Sequence, residues 1–395
     1  MASKTAPIPT QTMQGVEVPQ SSVNPMAFFA GTRRNRLQQA NQAWQGLGYT
    51  DTIRILRAGV ISEIMIQLTG TVTVTLAAGT VATTGRWPYD LIRNCRFTAN
   101  GQTNLINVSG DKLKAYEVIH RTDFSDKGTA QYGPGASPGV ATSQGTLAMN
   151  SEVWGLGTGV TGIPGAPTAY AFNLAWIVPI AYDQETLAGA IFAQTSSTAL
   201  ELNIDWAPQT DLFVTTGAAT VAIAATLKVL VTSYSIPTDG KGGIFVPDLS
   251  AFHAVQQTKV TPTQGLNEII LSGQGVGRQL LRIYCQGWNN ATQTQIAVTD
   301  ATIGQFGLRY GNNDTPENLM SGTIARQIAE RTFNSDIAAL RGYLCIDFVS
   351  QFAFRDSIDE GMASEIRLLL EYLAALPGNA SVEYVQETLA SGVAA

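Results

Sequence analysis

Apolar runs rich in β-branched and aromatic residues alternate along the chain with Gly-, Pro-, Ser- and Thr-rich stretches, and residues 168–206 show the pattern most fully. The run 170–178 has the length and aromatic content of a buried strand, and Pro179 stops it. Asp183 stands where a helix N-cap belongs, ahead of the apolar segment 187–192, which predicts a short helical link. Leu200, Leu202, Ile204 and Trp206 then share one face of a half-buried strand. Strand, link and strand in a β-rich chain is sandwich architecture.

The same patterning divides the whole chain. Residues 53–56, 61–75, 91–97, 170–178, 200–206 and 225–236 read as strands of one domain spanning 50–236, with Asn100-Gly101 as a turn. A Pro- and Gly-rich connection, 237–249, leads to a second domain, 250–395. Its predicted strands are 254–260, 266–271, 279–287, 293–298, 305–310, 342–349 and 365–373; the last also fits helical spacing, and the strand reading is preferred. Residues 1–49 form an N-terminal arm. Within it, Met26, Phe29, Leu37, Ala40 and Trp44 fall at helical spacing over 25–45, beside Arg33, Arg34 and Arg36. Such a helix packs on its own domain, on a neighbour, or on an anionic surface such as lipid headgroups. The stretch 128–167 is far longer than a hairpin needs and is expected to be an exposed loop.

An internal repeat links the two halves. CRFTANG is followed by Asn104-Leu105-Ile106, Ser109-Gly110 and a helix-like run ending at Arg121; FGLRYGNN is followed by Asn318-Leu319-Met320, Ser321-Gly322 and a helix-like run ending at Arg331. The two arginines are 210 positions apart (331 − 121), about one domain length. The chain therefore reads as two copies of one sandwich, each with a helix inserted after its middle strands.

Composition narrows the function. With 395 residues, two domains each bury a full core, yet only 14% of residues are charged, against roughly 25% in an ordinary soluble domain. A surface so poor in charge suits burial in a large oligomer; a neutral Thr- and Gln-rich β surface is the other reading. A net charge of -6 argues against nucleic-acid binding. Cys95, Cys285 and Cys345 are widely spaced in apolar runs, which predicts reduced, buried thiols in a protein made in a cytoplasm. Neither a signal peptide nor a membrane span is expected.

Candidate chemistry is sparse. His120 and His253 have no Cys, His or carboxylate at metal-ligand spacing, so no metal site is predicted. Gly157, Gly159 and Gly162 match a dinucleotide fingerprint in letters only, because Ile163-Pro164-Gly165 follows in place of a helix, and no cofactor is expected. Glu201, Asp205 and Asp211 are the carboxylates a β-sandwich glycosidase would use, but Glu201 and Asp205 read more simply as a strand's solvated face. The sequons at Asn107 and Asn290 lack a secretory context. No catalytic residue is assigned, and the chain is not read as an enzyme.

Several segments together resemble the double jelly-roll major capsid proteins of tectiviruses, icosahedral bacteriophages with an internal membrane, whose architecture adenovirus hexon shares. They are WIVPIAYDQETLAGAIFA (176–193), LELNIDW (200–206), GGIFVPDLSAFH (242–253), the run from TIARQIAERTF to RGYLCIDF (323–348) and EIRLLLEYL (365–373). The resemblance implies an all-β chain of two eight-stranded jelly rolls with short inserted helices and an N-terminal arm. It also implies a pseudo-hexagonal homotrimer that self-assembles with neighbouring trimers, vertex and minor capsid proteins into a shell around an internal membrane. On that reading Arg33, Arg34 and Arg36 contact lipid headgroups or a neighbouring subunit, and the protein resides in the virion capsid. A trimeric receptor- or carbohydrate-binding spike is the alternative.

Overall fold

The computed structural model describes residues 10–13, 16–19, 24–99, 104–120, 159–161, 167–194, 199–238, 243–271, 277–310, 317–332, 342–349, 357–360 and 365–391. The turn at Asn100-Gly101 and nearly all of the 128–167 loop lie outside them.

Among the described residues eight main strands build the first sandwich: β1 (Arg34–Ala43), β2 (Thr50–Arg54), β3 (Val60–Thr83), β4 (Ile92–Ala99), β5 (Ile106–Val108), β6 (Thr168–Pro179), β7 (Leu200–Trp206) and β8 (Phe213–Tyr234), with the short Gly159–Thr161 and Ile191–Phe192 added along β3. They pair as two antiparallel sheets, β1-β8-β3-β6 and β2-β7-β4-β5. Alternation puts Ile64, Ile66 and Leu68 of β3, Phe172, Leu174 and Trp176 of β6, and Leu202 and Ile204 of β7 into one core between them. The second sandwich repeats this plan: β9 (Ala251–Val260), β10 (Gly265–Ile270), β11 (Arg278–Asn289), β12 (Ile303–Tyr310), β13 (Glu317–Ser321), β14 (Tyr343–Asp347), β15 (Ile366–Tyr372) and β16 (Ala380–Ser391). Their sheet orders are β9-β16-β11-β14 and β10-β15-β12-β13. Each strand of the first sandwich thus has its counterpart eight strands later. The chain is an all-β double jelly roll.

The repeat seen in the letters is a repeat in space. Helix α2 (Gly110–His120) follows β5, as α3 (Gly322–Thr332) follows β13, and α1 (Pro25–Gly31) precedes the first sandwich. Both inserted helices start on glycine for one reason. A Cβ on Gly110 would stand 2.0 Å from the Tyr89 carbonyl oxygen, and one on Gly322 would stand 2.3 Å from that of Ile303. The sandwiches are joined by a parallel pairing of β5 with β9, Val255 opposite Ile106 and Gln256 opposite Asn107, where the Val255 amide donates to Leu105 O at 2.9 Å.

Four expectations need correction. The helix predicted over 25–45 stops at Gly31, whose Cβ would press on Pro237, and β1 then pairs along β8 as an edge strand. Arg34 and Arg36 are therefore exposed strand residues, with Arg33 just before them. Met26 and Phe29 are exposed, while Phe28 is buried against Val60, Leu187 and Val246, and Trp44 packs edge-on against Trp206. The link after Pro179 is a turn, not a helix. Asp183 does accept the Glu185 and Thr186 amides, at 3.0 and 2.9 Å, but Leu187 at φ 59° and Gly189 at φ 81° end any helical course. The strand expected over 293–298 shrinks to Thr294–Gln295. Strand β16, unpredicted, lies at the centre of its sheet.

Gly110→Ala and Gly322→Ala are each expected to destabilise the fold by at least about 1–3 kcal/mol, the range for overpacking a filled interior. Gly378→Ala, where a Cβ meets nothing within 4 Å, is expected to be near neutral in the same denaturant titration.

Candidate functional site

Helix α2 occupies the seam between the two sandwiches, and nearly every side chain on it is buried, Lys112 and Lys114 included. One side of the helix belongs to the first core through Leu113 and Val118. The other faces β9, β11, β14 and β16, whose Val255, Tyr284, Tyr343, Cys345 and Val385 join that same core across the seam. Buried charge must be paired and hydrogen-bonded, and the residues that meet this demand come from both halves of the chain.

Two clusters do so. In the first, Lys112 Nζ lies 2.6 Å from Asp111, 3.0 Å from Gln286 Oε1 and 3.6 Å from Glu383, with the Tyr343 ring 4.8 Å away. Tyr343 Oη donates to Asp111 at 2.9 Å, and Tyr284 Oη to the Lys112 carbonyl at 3.2 Å. Arg86 bridges Asp90 at 2.7 Å and Glu383 at 2.9 Å, and its guanidinium lies over the Trp288 ring at 4.1 Å. Burial, then the neighbouring Asp111, push the Asp90 carboxyl well up. Burial works against Asp111 as well, but Lys112 and several hydrogen bonds hold it below the carboxylate range.

The second cluster is centred on Glu387. It accepts from Arg282 at 2.8 Å and from His253 Nε2 at 3.1 Å, while His253 Nδ1 faces the Pro179 carbonyl at 3.1 Å. Arg282 also bridges Asp347 at 3.1 Å and contacts His120 Nε2 at 2.6 Å. Nε2 of His120 also lies 3.0 Å from Glu387, so it sits between a donor and an acceptor. Burial depresses His120; for Glu387, burial opposes ionisation, but His120 and Arg282 carry it well below its ordinary value. The two histidines, discounted as isolated in sequence, thus meet on one carboxylate.

The remaining candidates are scattered. Asp205 accepts from Thr50 at 2.7 Å and pairs with Arg96 at 3.1 Å on the outward face of β7, Glu201 lies on that same face, and Asp211 is in a one-turn helix, Gln209–Leu212. Of the Gly157–Gly162 fingerprint, Gly159–Thr161 pairs with β3, and the rest lies outside the described residues. Among the described residues no group of three or more His, Cys, Asp or Glu is placed to hold a metal ion. Sequence reasoning missed Glu383 and Glu387. Their signal was the spacing of four within an alternating segment, which puts both on one strand face.

This geometry defines a class: two jelly rolls locked side by side in one chain, the fold of viral double jelly-roll major capsid proteins. Its particular likenesses are distant in sequence. The chain is similar to the STIV MCP (TM-score 0.60, 16% identity, 91% of this chain and 97% of that one). It is also similar to the Faustovirus major capsid protein (TM-score 0.58, 10% identity, 91% and 90%) and to PBCV-1 VP54 as fitted into the virophage Sputnik (TM-score 0.52, 13% identity, 92% and 95%). No family model and no curated protein sequence matches.

Removing one partner of the Glu387 cluster, by Glu387→Gln or Arg282→Met, is expected to cost about 3–5 kcal/mol, as for other broken buried ion pairs. A double change, Arg282→Met with Glu387→Leu, is expected to cost less than the two single changes summed. Acid should weaken the Glu387 cluster, while Asp90, pushed well up by burial, works in the opposite direction. His120 and Glu387 both hold protons less readily folded than unfolded, so their contribution is full above the unfolded values and falls as pH drops below about 6.5, more steeply below about 4.5. Urea midpoints of the wild type and of Glu387→Gln between pH 7.5 and 4 isolate this contribution: the wild type should lose more on acidification than the variant, and an equal or smaller loss contradicts it. Burial pushes the Cys95 and Cys285 thiols up to about 12, and Cys345 higher still. No thiol should react with a disulfide reagent at pH 8 until the chain is unfolded.

Proposed function

We propose that this chain is the major capsid protein of an icosahedral virus of the tectivirus type. Three copies close into a pseudo-hexagonal homotrimer, and trimers tile a shell over an internal membrane together with vertex and minor capsid proteins. One observation carries the reading: two eight-stranded sandwiches of equal plan are held in a fixed relation by the β5–β9 pair and the buried seam, in a fold shared over nine-tenths of the chain with viral major capsid proteins. Such a chain is a rigid third of a six-sandwich ring. Its mechanism is assembly, driven by burial of apolar and neutral surface, with contacts on the order of 1,600 Å² multiplied over a lattice. A role without catalysis and synthesis in the host cytoplasm belong to the same proposal; buried, unpaired thiols support the latter.

Arg33, Arg34 and Arg36 take a place in this reading. They are exposed at the edge of the β1-β8-β3-β6 sheet, next to α1 with its exposed Met26 and Phe29, and they serve contact with a neighbouring subunit or with anionic headgroups.

Native mass measurement with negative-stain microscopy tests the proposal. A particle of three times 42.0 kDa with a hexagonal outline, or sheets and shells of such particles, is expected. A monomer at all concentrations and salts would overturn it.

A further inference from the structure

A row of side chains crosses the sheet β9-β16-β11-β14 beneath α2: register sets Lys259 beside Glu383, Glu383 beside Gln286 and Gln286 beside Tyr343. Lys112 of α2 is seated on this row. Its Nζ lies 3.0 Å from Gln286 Oε1, 2.6 Å from Asp111 and 3.6 Å from Glu383, with the Tyr343 ring 4.8 Å away. Lys112 is 0% exposed, Gln286 1% and Glu383 3%. We propose that this is a self-modification site, where Lys112 and Gln286 join in an isopeptide bond that ties α2 of the first sandwich covalently to β11 of the second.

The chemistry is amide exchange. Nζ of Lys112 bonds to Cδ of Gln286, the Cδ–Nε2 bond breaks, and the Gln286 nitrogen leaves as ammonia. Of the three protons on the lysine ammonium, one departs on the ammonia, one stays on the new amide nitrogen and one remains on the Glu383 carboxyl. A cation and an anion are thereby neutralised together, and no oxidant or reductant is needed. Glu383 is placed for this transfer because it flanks Nζ and stands directly opposite Gln286 on the neighbouring strand. Burial raises its carboxyl, which Lys112 and then Arg86 bring below the ordinary value; the share due to Lys112 goes when the lysine gives up its proton. Asp111 orients Nζ, and is itself held by Ser109 Oγ at 2.5 Å and Tyr343 Oη at 2.9 Å.

The conditions that favour such a bond coincide here. Holding amine and amide in one place gives an effective concentration of about 10⁵–10⁸ M once the reacting atoms align. Exclusion of water leaves the amine without a competitor at Cδ and protects the product from hydrolysis. A buried ion pair carries a desolvation penalty on both partners, and the reaction exchanges it for neutral groups. Two other lysines show what sets Lys112 apart. Lys114 is as deeply buried, but its Nζ faces the Glu117 carboxylate at 3.0 Å and the main-chain carbonyl of Ala175 at 3.4 Å. Lys259 meets Asn290 Oδ1 at 3.2 Å and Glu383 at 3.6 Å, but its side chain is 54% exposed, where water solvates the ammonium. In α3, counted from Gly322, the position of Lys112 is taken by Ile324, so the bond is particular to the seam. It forms within one chain, whether or not chains assemble.

Mass spectrometry of the full-length wild-type chain, kept folded at pH 7.5 until its mass is constant and then denatured, tests the bond. The chain should be lighter than its sequence by one ammonia. A trypsin digest should give residues 97–114 joined to residues 283–309, because trypsin does not cut after a linked Lys112. Closure of Asn100 onto the Gly101 amide also releases ammonia, but it leaves those peptides separate and opens in mild base, so the joined peptide decides. Lys112→Met and Gln286→Met should each restore the full mass. Glu383→Gln, its fold checked by thiol protection, should form the bond at least about 10²-fold more slowly, and an unchanged rate overturns the role given to Glu383. A wild-type chain of full mass overturns the proposal. So does an ammonia loss that survives Lys112→Met and disappears in Lys259→Met, which places the bond at Asn290 instead.

Discussion

Everything in this molecule depends on keeping α2 dry. The helix carries two lysines, an aspartate and a glutamate into the buried interior, with a half-buried histidine at its end, and a charge left without a partner there would cost several kcal/mol. The chain resolves this by drawing partners from residues nearly 300 positions away: Arg86 reaches Glu383, and His120 meets Glu387 through Arg282. Apolar residues would tolerate sliding of one sandwich over the other. A row of specific hydrogen bonds admits one orientation, and the parallel β5–β9 pair sets the same register from the backbone.

That rigidity suits the proposed role. A ring or lattice built from flexible units closes in many ways, whereas a unit with one fixed internal angle passes that angle on at each contact. The duplicated plan is not duplicated in its side chains: counted from the helix-starting glycines Gly110 and Gly322, the buried Lys112 is replaced by the exposed Ile324 and the buried Tyr116 by the exposed Ile328. The charged seam belongs to α2 alone and distinguishes the two halves of the chain.

Much of the architecture was legible in the sequence, and the exceptions have physical causes. Strand β7 was plain because its alternation faces a core on one side and solvent on the other. The repeat was legible because both helix starts need a glycine and both following turns bury a similar apolar side. Strand β16 was hidden, since it is buried on both faces and one of those faces carries Glu383 and Glu387, which read as a polar tail. Strand β1 was hidden for the opposite reason: an edge strand with all ten side chains exposed or half-exposed and no buried alternation carries little period-two signal, and Leu37, Ala40 and Trp44 also fit helical spacing. The seam itself could not be found locally. Its residues are unremarkable one at a time, and only the topology that sets β16 and β11 against α2 makes them a unit.

The central claim is that the seam around α2 holds the two sandwiches in one relation. Hydrogen–deuterium exchange of the folded chain measures this directly. The account predicts that the α2 amides and the Val255 amide, which donates across the seam to Leu105 O, exchange only when the whole chain unfolds. Exchange of the α2 amides by local opening, while the strand amides of both sandwiches stay protected, would contradict it.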